Sequence, residues 1–280
     1  MCRSPNNVEK FTCGHRINSE KSLTMHSLKG KQAVILGGTS GIGLAVANNF
    51  IATGAKTLIT GRRAEGEQIA AEIGADFLRC DITSESAVKE IMEQIQALKG
   101  EIHILVVNAG IAADEGSIEE LDSAEMDAMV DVNLKGTFYA LKYSPSILKD
   151  GASVIYTGSV AGSGITHAGS AVYAASKAGG AYLARTSALE NAPRGIRVNC
   201  VCPALIADTG MMVADDGNDT ATFLSQLNAF GRMGRQDEIV GIYNFLAGDA
   251  STFITGQEIR VDGGMTAGLG LPLFGAIAGE

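Results

Sequence analysis

The stretch Ala33-Val34-Ile35-Leu36-Gly37-Gly38-Thr39-Ser40-Gly41-Ile42-Gly43 decides the fold. Four consecutive apolar residues read as a strand buried on both faces, and the glycines after them read as a tight turn leading into a helix from about Ile42. Such a strand–turn–helix offers an anion the free N–H groups and positive dipole end of a helix, and its glycines let the backbone approach a pyrophosphate. Glycines also end strands for steric reasons alone, so the weight of this turn comes from its βαβ surroundings.

The same alternation continues along the chain. Lys56-Thr57-Leu58-Ile59-Thr60 reads as the next strand, followed by a helix over 67–73 that Gly74 closes. Across 84–99, Val88, Ile91, Met92, Ile95 and Leu98 share one helical face, and Gly100 ends it. The run 102–107 is an unbroken apolar strand. Helices are expected at 123–130 and 137–148, a strand at 152–157, a helix at 171–191, a strand at 196–201, a helix at 237–246 and a last strand at 257–261. Strands that are apolar throughout and alternate with helices imply a parallel sheet covered on both sides. With right-handed crossovers, the expected fold is α/β, a single-domain Rossmann-type doubly wound parallel sheet with helices on both faces.

Length and composition agree. The 280 residues suit one large domain, and no repeat or linker divides them. The apolar fraction of 46% excludes a disordered chain. A net charge of −9 disfavours nucleic acid as a partner. The five cysteines, Cys2, Cys13, Cys80, Cys200 and Cys202, fit neither a disulfide framework nor a metal site. Cys200 and Cys202 flank Val201 on an expected strand and so point to one face, as buried thiols. No apolar run reaches bilayer length, and a cytoplasmic protein is the simplest fit. Residues 1–28 are polar, hold Arg3, Lys10, Arg16 and Lys21, and lack a secretory apolar core; they are expected to form a disordered extension, with Met25 as an alternative start. The domain is expected over 29–280.

About 20 residues after the glycine turn, an acidic residue would bind the adenosine ribose of NAD. Here the second strand ends in Thr60-Gly61-Arg62-Arg63, with no carboxylate. Gly61 leaves room for a 2′-phosphate, and Arg62 or Arg63 can pair with it through a planar guanidinium. Two arginines after a strand also make an ordinary solvated turn. Together with the missing acid they favour NADP(H), with NAD(H) as the alternative; Ser40 adds no second charge.

Tyr173 and Lys177 lie four apart in an expected helix and share a face. An ammonium beside a phenol favours the phenolate, so such a tyrosine can donate a proton to a developing alkoxide or take one from an alcohol. The spacing alone is common and usually means a core tyrosine with an exposed lysine.

From about residue 29 to 265 the chain resembles the classical short-chain dehydrogenase/reductase family. The matching segments, in order, are Gly37…Gly41-Ile42-Gly43, Asp81-Ile82, Asn108-Ala109-Gly110, Asn133, Ser159, Tyr173-Ala174-Ala175-Ser176-Lys177, Val198-Asn199 with Pro203, and Val261-Asp262-Gly263-Gly264. Each is weak alone; their order is specific. The resemblance implies one Rossmann-type domain, a small-molecule carbonyl or alcohol substrate, and assembly as a homo-oligomer, tetramer or dimer. It implies that Tyr173 is the general acid/base, that Ser159 orients the substrate oxygen, and that Lys177 holds the nicotinamide ribose and tunes Tyr173. Asn133 would anchor a relay water, Asp81 would meet the adenine, and Asn108 would brace the sheet beside the cofactor. Gly37, Thr39, Ser40, Gly41, Ile42, Gly43, Ile82, Ala109, Gly110 and Pro203 complete the implied cofactor wall, with the backbone near Ile206 taking the carboxamide.

Several positions depart from the family pattern. Leu36 replaces a Thr, Val107 replaces an Asn, and Ala204 replaces a Gly after Pro203. Thr209 falls one position late for its carboxamide contact. Ser159 and Tyr173 are fourteen residues apart, one more than usual, which reshapes the wall at 162–170. His167 in that wall is either a substrate contact or a surface imidazole. The segment 208–222 reads as a mobile lid whose Met211, Met212 and Val213, with Phe223 beyond, suit a substrate with a hydrophobic part. The apolar tail 269–277 packs either on its own core or, the favoured reading, across a subunit interface. The leading functional expectation is an NADP(H)-dependent ketone reductase or secondary-alcohol dehydrogenase; the alternatives are a non-redox step (dehydration or isomerisation) and a nicotinamide-sensing binding protein.

Overall fold

Seven strands, β1 (Gln32–Leu36), β2 (Lys56–Gly61), β3 (Asp76–Arg79), β4 (Ile102–Val107), β5 (Leu148–Thr157), β6 (Arg197–Pro203) and β7 (Glu258–Val261), form one sheet in the order β3-β2-β1-β4-β5-β6-β7. Every neighbouring pair is parallel. The structure is a computed structural model that describes residues 27–112, 116–210, 226–272 and 275.

The sheet is buried on both faces because alternate residues of each apolar strand feed two separate cores. Val34, Leu36, Leu58, Leu105, Val107 and Val154 enter one core, which is covered by α3 (Glu85–Lys99), α5 (Gly136–Tyr143) and α6 (Ala171–Asn191). Ala33, Ile35, Ile59, Ile104, Val106 and Ile155 enter the other, under α1 (Gly41–Ala52), α2 (Gly66–Ile73) and α7 (Gln236–Ala247). A shorter helix, α4 (Ser123–Met129), precedes a π-helical turn at Val130–Lys135 that runs directly into α5. Gly74 and Gly100 end α2 and α3 with positive φ, as their positions in the sequence predict.

Two elements differ from the expectations. The strand at 152–157 starts earlier, at Leu148, because the helix before it ends at Tyr143 and a 3₁₀ turn, Ser144–Ser146, with Pro145 at its start, breaks the helical run. Strand β3 was not anticipated; it is four residues long, with Asp76 and Arg79 exposed at its ends, so it carries no apolar run to signal it. Leu28, the last residue of the expected extension, is fully buried, and its N–H donates to the Thr53 carbonyl (2.9 Å). The rest of the expected extension, 1–26, lies outside the described residues, as do 211–225, which hold Met211, Met212, Val213 and Phe223 of the expected lid. Of the tail, Leu269 and Leu271 are exposed, while Gly270 packs on Ala229 and Pro272 on Gly231. No described helix is long and apolar enough to cross a membrane, and no described cluster of His, Cys, Asp and Glu could hold a metal ion.

Candidate active site

The sheet order turns back between β1 and β4, whose connections leave in opposite directions, so a crevice opens at their C-terminal ends. Residues singled out from the sequence follow the C-terminal ends of six strands: Gly37 after β1, Arg62 after β2, Asp81 after β3, Asn108 after β4, Ser159 after β5 and Ile206 after β6.

At β1, Gly37 takes φ +83° and lies against the Ala109 backbone, where a Cβ would come within 2.7 Å of it. Gly43, in the first turn of α1, packs as closely on the Gly37 carbonyl and the Asn108 side chain, so α1 rests directly on the turn. Asn108 Nδ2 donates to the Gly37 carbonyl (2.8 Å), and the Leu36 carbonyl accepts from the N–H groups of both Asn108 and Ala109 (3.0 and 2.9 Å). The side chains of Leu36 and Val107 are buried in the core, so these two departures alter packing. The N-terminus of α1 differs from those of α3 and α4. Ser84 and Asp122 cap the latter with side-chain oxygens, whereas Ser40 makes no side-chain cap. The first-turn N–H groups of α1 thus have no capping side chain from Ser40, which leaves them available to an anion.

Beside this turn, Gly61 approaches Thr39 so closely that a Cβ would lie 2.8 Å from Thr39 Cγ2. Arg62 and Arg63 are exposed. Arg79, from the unanticipated β3, donates its Nε to the Arg62 carbonyl (2.7 Å) and brings a third guanidinium to the corner. Reading along the sequence could not find it, because only the β2–β3 pairing sets Arg79 beside Gly61. The Asp81 carboxylate is exposed and accepts from the N–H and hydroxyl of Thr83 (3.0 and 2.8 Å); Ile82 is buried, with its side chain against Gly136.

The proton-handling candidates converge from three elements. The π-helical turn places Asn133, fully buried, so that its Oδ1 accepts from the Ile111 N–H (2.9 Å) and its Nδ2 donates to the Ile111 carbonyl (2.9 Å) and Ser176 Oγ (3.2 Å). One extra residue per turn is a common device for aiming a side chain at a site. Lys177, on α6, is 4% exposed, and its Nζ donates to the Thr157 carbonyl (3.1 Å). The ammonium also lies 5.8 Å from the Tyr173 ring centre and beside Gly110, where a Cβ would sit 2.9 Å from Nζ. Ser159 follows β5, and its Oγ accepts from the Ala161 N–H (3.1 Å). The loop after it is pinned to β7, because Ser163 donates to the Glu258 carboxylate (2.7 Å), which also pairs with Arg185 (2.6 Å). Thr157 shares a buried hydrogen bond with Tyr243 of α7 (2.8 Å), so strand, helix and Lys177 seat are tied through the sheet.

On the far wall, the Pro203 carbonyl accepts from Val160 N–H (2.9 Å), and Ile206 forms an isolated bridge with Gly234. Thr209 donates its hydroxyl to the Ile206 carbonyl (3.2 Å), and its own carbonyl lies over Gly41, 2.6 Å from where a Cβ would stand. Asp208 holds φ +58°, the positive-φ conformation that non-glycine residues rarely adopt, and Gln236 donates to its carbonyl (2.6 Å). His167 is exposed and turned to the Ala168 carbonyl (2.8 Å). Cys200 and Cys202 share a face of β6 with their sulfurs 3.4 Å apart, both buried; their hydrogen bond raises Cys200 and lowers Cys202 from the ordinary thiol range.

With this geometry, the comparisons are concordant. The chain belongs to the short-chain dehydrogenase/reductase family of oxidoreductases, with a Rossmann-type fold. The family described as Enoyl-(Acyl carrier protein) reductase is matched by residues 37–266. The chain is 36% identical over 244 residues to the 3-oxoacyl-(acyl-carrier-protein) reductase FabG of Salmonella typhimurium, covering 85% of this chain and 98% of the relative. It is 35% identical over 252 residues to the NADP-dependent (R)-specific alcohol dehydrogenase of Lentilactobacillus kefiri, covering 86% and 98%. Among solved structures, a short-chain dehydrogenase/reductase from Serratia marcescens superposes with a TM-score of 0.80 at 33% identity, covering 86% of this chain and all of that one.

Proposed function

We propose that this chain is an NADP(H)-dependent oxidoreductase that interconverts a ketone or aldehyde and an alcohol, with Tyr173 as general acid/base. The observation that carries the reading is the seat of Lys177: a buried ammonium aimed between Tyr173, Gly110 and the Thr157 carbonyl, at the crevice where the sheet order reverses. A buried cation is costly to maintain, so one held in this crevice is a feature that function, rather than stability, accounts for.

The residues present fit a dinucleotide. The Gly37–Gly43 turn and the uncapped α1 N-terminus suit its pyrophosphate, and Asn108, Ala109 and Gly110 line the adjoining wall. Arg62 and Arg63, steadied by Arg79, suit a 2′-phosphate. The nicotinamide group, when bound, supplies or accepts the hydride. Tyr173 then donates a proton to the developing alkoxide, or accepts one from an alcohol, and the Ser159 hydroxyl orients the reacting oxygen. Asn133 locks the 111 backbone to α6 through Ser176 and keeps Lys177 and Tyr173 in register. The names of the two relatives, a 3-oxoacyl reductase and an NADP-dependent alcohol dehydrogenase, support the same reaction and cofactor class. Exposed Phe138, Tyr182 and Leu189 on α5 and α6 support a homo-oligomer.

The test is purified protein with NADPH and a panel of cyclic, steroid-like and acyl-chain ketones, followed by NADPH absorbance. Ketone-dependent consumption is expected. Tight NADPH binding with no consumption by any carbonyl would contradict the reading and favour a non-redox or sensing role.

A further inference from the structure

Strand β5 carries Tyr156, three residues before Ser159, with its side chain turned toward α6 and only 1% exposed. The Lys177 ammonium lies 5.6 Å from the centre of the Tyr156 ring and 5.8 Å from that of Tyr173. Lys177 is therefore seated between two aromatic faces, and the Thr157 carbonyl, the next residue along β5, takes its hydrogen bond. Among the described residues Lys177 has no carboxylate in ion-pair reach. Its buried charge is met by ring quadrupoles and one carbonyl, an arrangement whose attraction grows as water is excluded.

The room for this ring is made on α6 itself. Gly180 lies three residues beyond Lys177, and a Cβ there would stand 2.9 Å from Tyr156 Cε1 and collide with Cζ and the hydroxyl. A large side chain on the strand and an empty position on the helix form one complementary pair under the ammonium. The hydroxyl is incidental to this. It lies beside Thr137, whose hydroxyl donates to the Asn133 carbonyl (2.7 Å) and keeps its lone pairs free to accept. Burial, reinforced by Cys200 and Tyr173 nearby, pushes the Tyr156 phenol well above its ordinary range. Tyr156 thus stays neutral and does not compete with Tyr173 for the proton.

We propose that the Tyr156 ring, in the notch left by Gly180, is a positioning residue that fixes the Lys177 ammonium against Tyr173. The proposal deepens the oxidoreductase reading and, for its effect on turnover, rests on it.

The test compares the holoenzyme with Tyr156→Phe, which keeps the ring and removes only the hydroxyl, and with Tyr156→Leu and Tyr156→Met, which fill the space without a ring. Two ring-less variants guard against one failing to fold. Steady-state kinetics are read beside the NMR shift of Lys177 in protein isotopically labelled at lysine Cε, which reports ring currents whether or not the enzyme turns over. Tyr156→Phe should match wild type in both. The ring-less variants should lose part of the upfield shift and about 10-fold in kcat, with ketone KM unchanged. In a Lys177→Met background, Tyr156→Leu should lower kcat no further, because its effect passes through the missing ammonium. An unchanged Lys177 shift in the ring-less variants, or an additive loss in the double variant, would overturn the proposal. A wild type that turns over no carbonyl but shows the predicted shifts would overturn the oxidoreductase reading and leave the Lys177 seat standing.

Discussion

Arg62 and Arg63 stand exposed at the C-terminal end of β2, and the Arg62 carbonyl is held by Arg79 Nε at 2.7 Å. A guanidinium pairs with a phosphate through charge-assisted hydrogen bonds worth about 1.5–3 kcal/mol. The double substitution Arg62→Ala with Arg63→Ala should therefore raise the NADPH dissociation constant about 10- to 100-fold while moving that for NADH less than about 3-fold, as read by nucleotide fluorescence. Equal losses for both cofactors would remove the case for 2′-phosphate recognition. The arginine pair could be singled out in the sequence because its spacing from the glycine turn is local. Arg79 and Tyr156 could not, because each gains its meaning from a neighbour distant in sequence: Arg79 through the β2–β3 pairing, Tyr156 through Gly180 and Lys177. His167 was legible as a wall residue, and its placement on the surface, facing the Ala168 carbonyl, leaves it without a polar partner from the crevice among its hydrogen bonds.

At the scale of elements, the segment from Asn228 to α7 shapes the wall that carries Ile206. Arg232 grips Glu238 through both guanidinium nitrogens (2.8 and 2.7 Å), and the Arg235 N–H donates to the same carboxylate (2.9 Å). These contacts, the Arg232 hydrogen bond foremost, hold Glu238 down to about 2. An ordinary glutamate titrates near 4.3, so the folded state binds this proton less readily than the unfolded chain. The stabilisation is fully present above about pH 4.3 and fades as pH falls toward about 2. Glu238→Gln should melt below wild type at neutral pH, and thermal melts should converge as pH is lowered through that window. A constant gap at every pH would assign the loss to packing instead. Elements with strong periodicity were legible, as the face of α3 shows. The turn at Ser144–Ser146 and the short β3 were not, because an apolar run crossing a 3₁₀ break looks like continuous helix and four residues with charged ends look like a loop. The π-helical turn that aims Asn133 leaves no sequence mark, since its extra residue is absorbed within one helical run.

For the whole molecule, the parallel sheet converts a linear order of weak motifs into one crevice. Gly37, Arg62, Asp81, Asn108, Ser159 and Ile206 each follow a strand's C-terminal end, and strand order alone brings them to the same edge. That placement was legible from the alternation of strands and helices, because right-handed parallel crossovers leave few other topologies. The geometry within the crevice was not, because it depends on close packing such as Gly43 on Asn108 and Thr209 over Gly41. At this assembled edge, Tyr173, positioned by Lys177, is the proposed proton-transfer residue. The measurement that tests it most directly is ketone-dependent NADPH consumption by Tyr173→Phe beside wild type, with NADPH affinity measured on both. Turnover should fall about 10²- to 10⁴-fold while NADPH affinity stays close to wild type. Turnover retained in Tyr173→Phe would contradict the account.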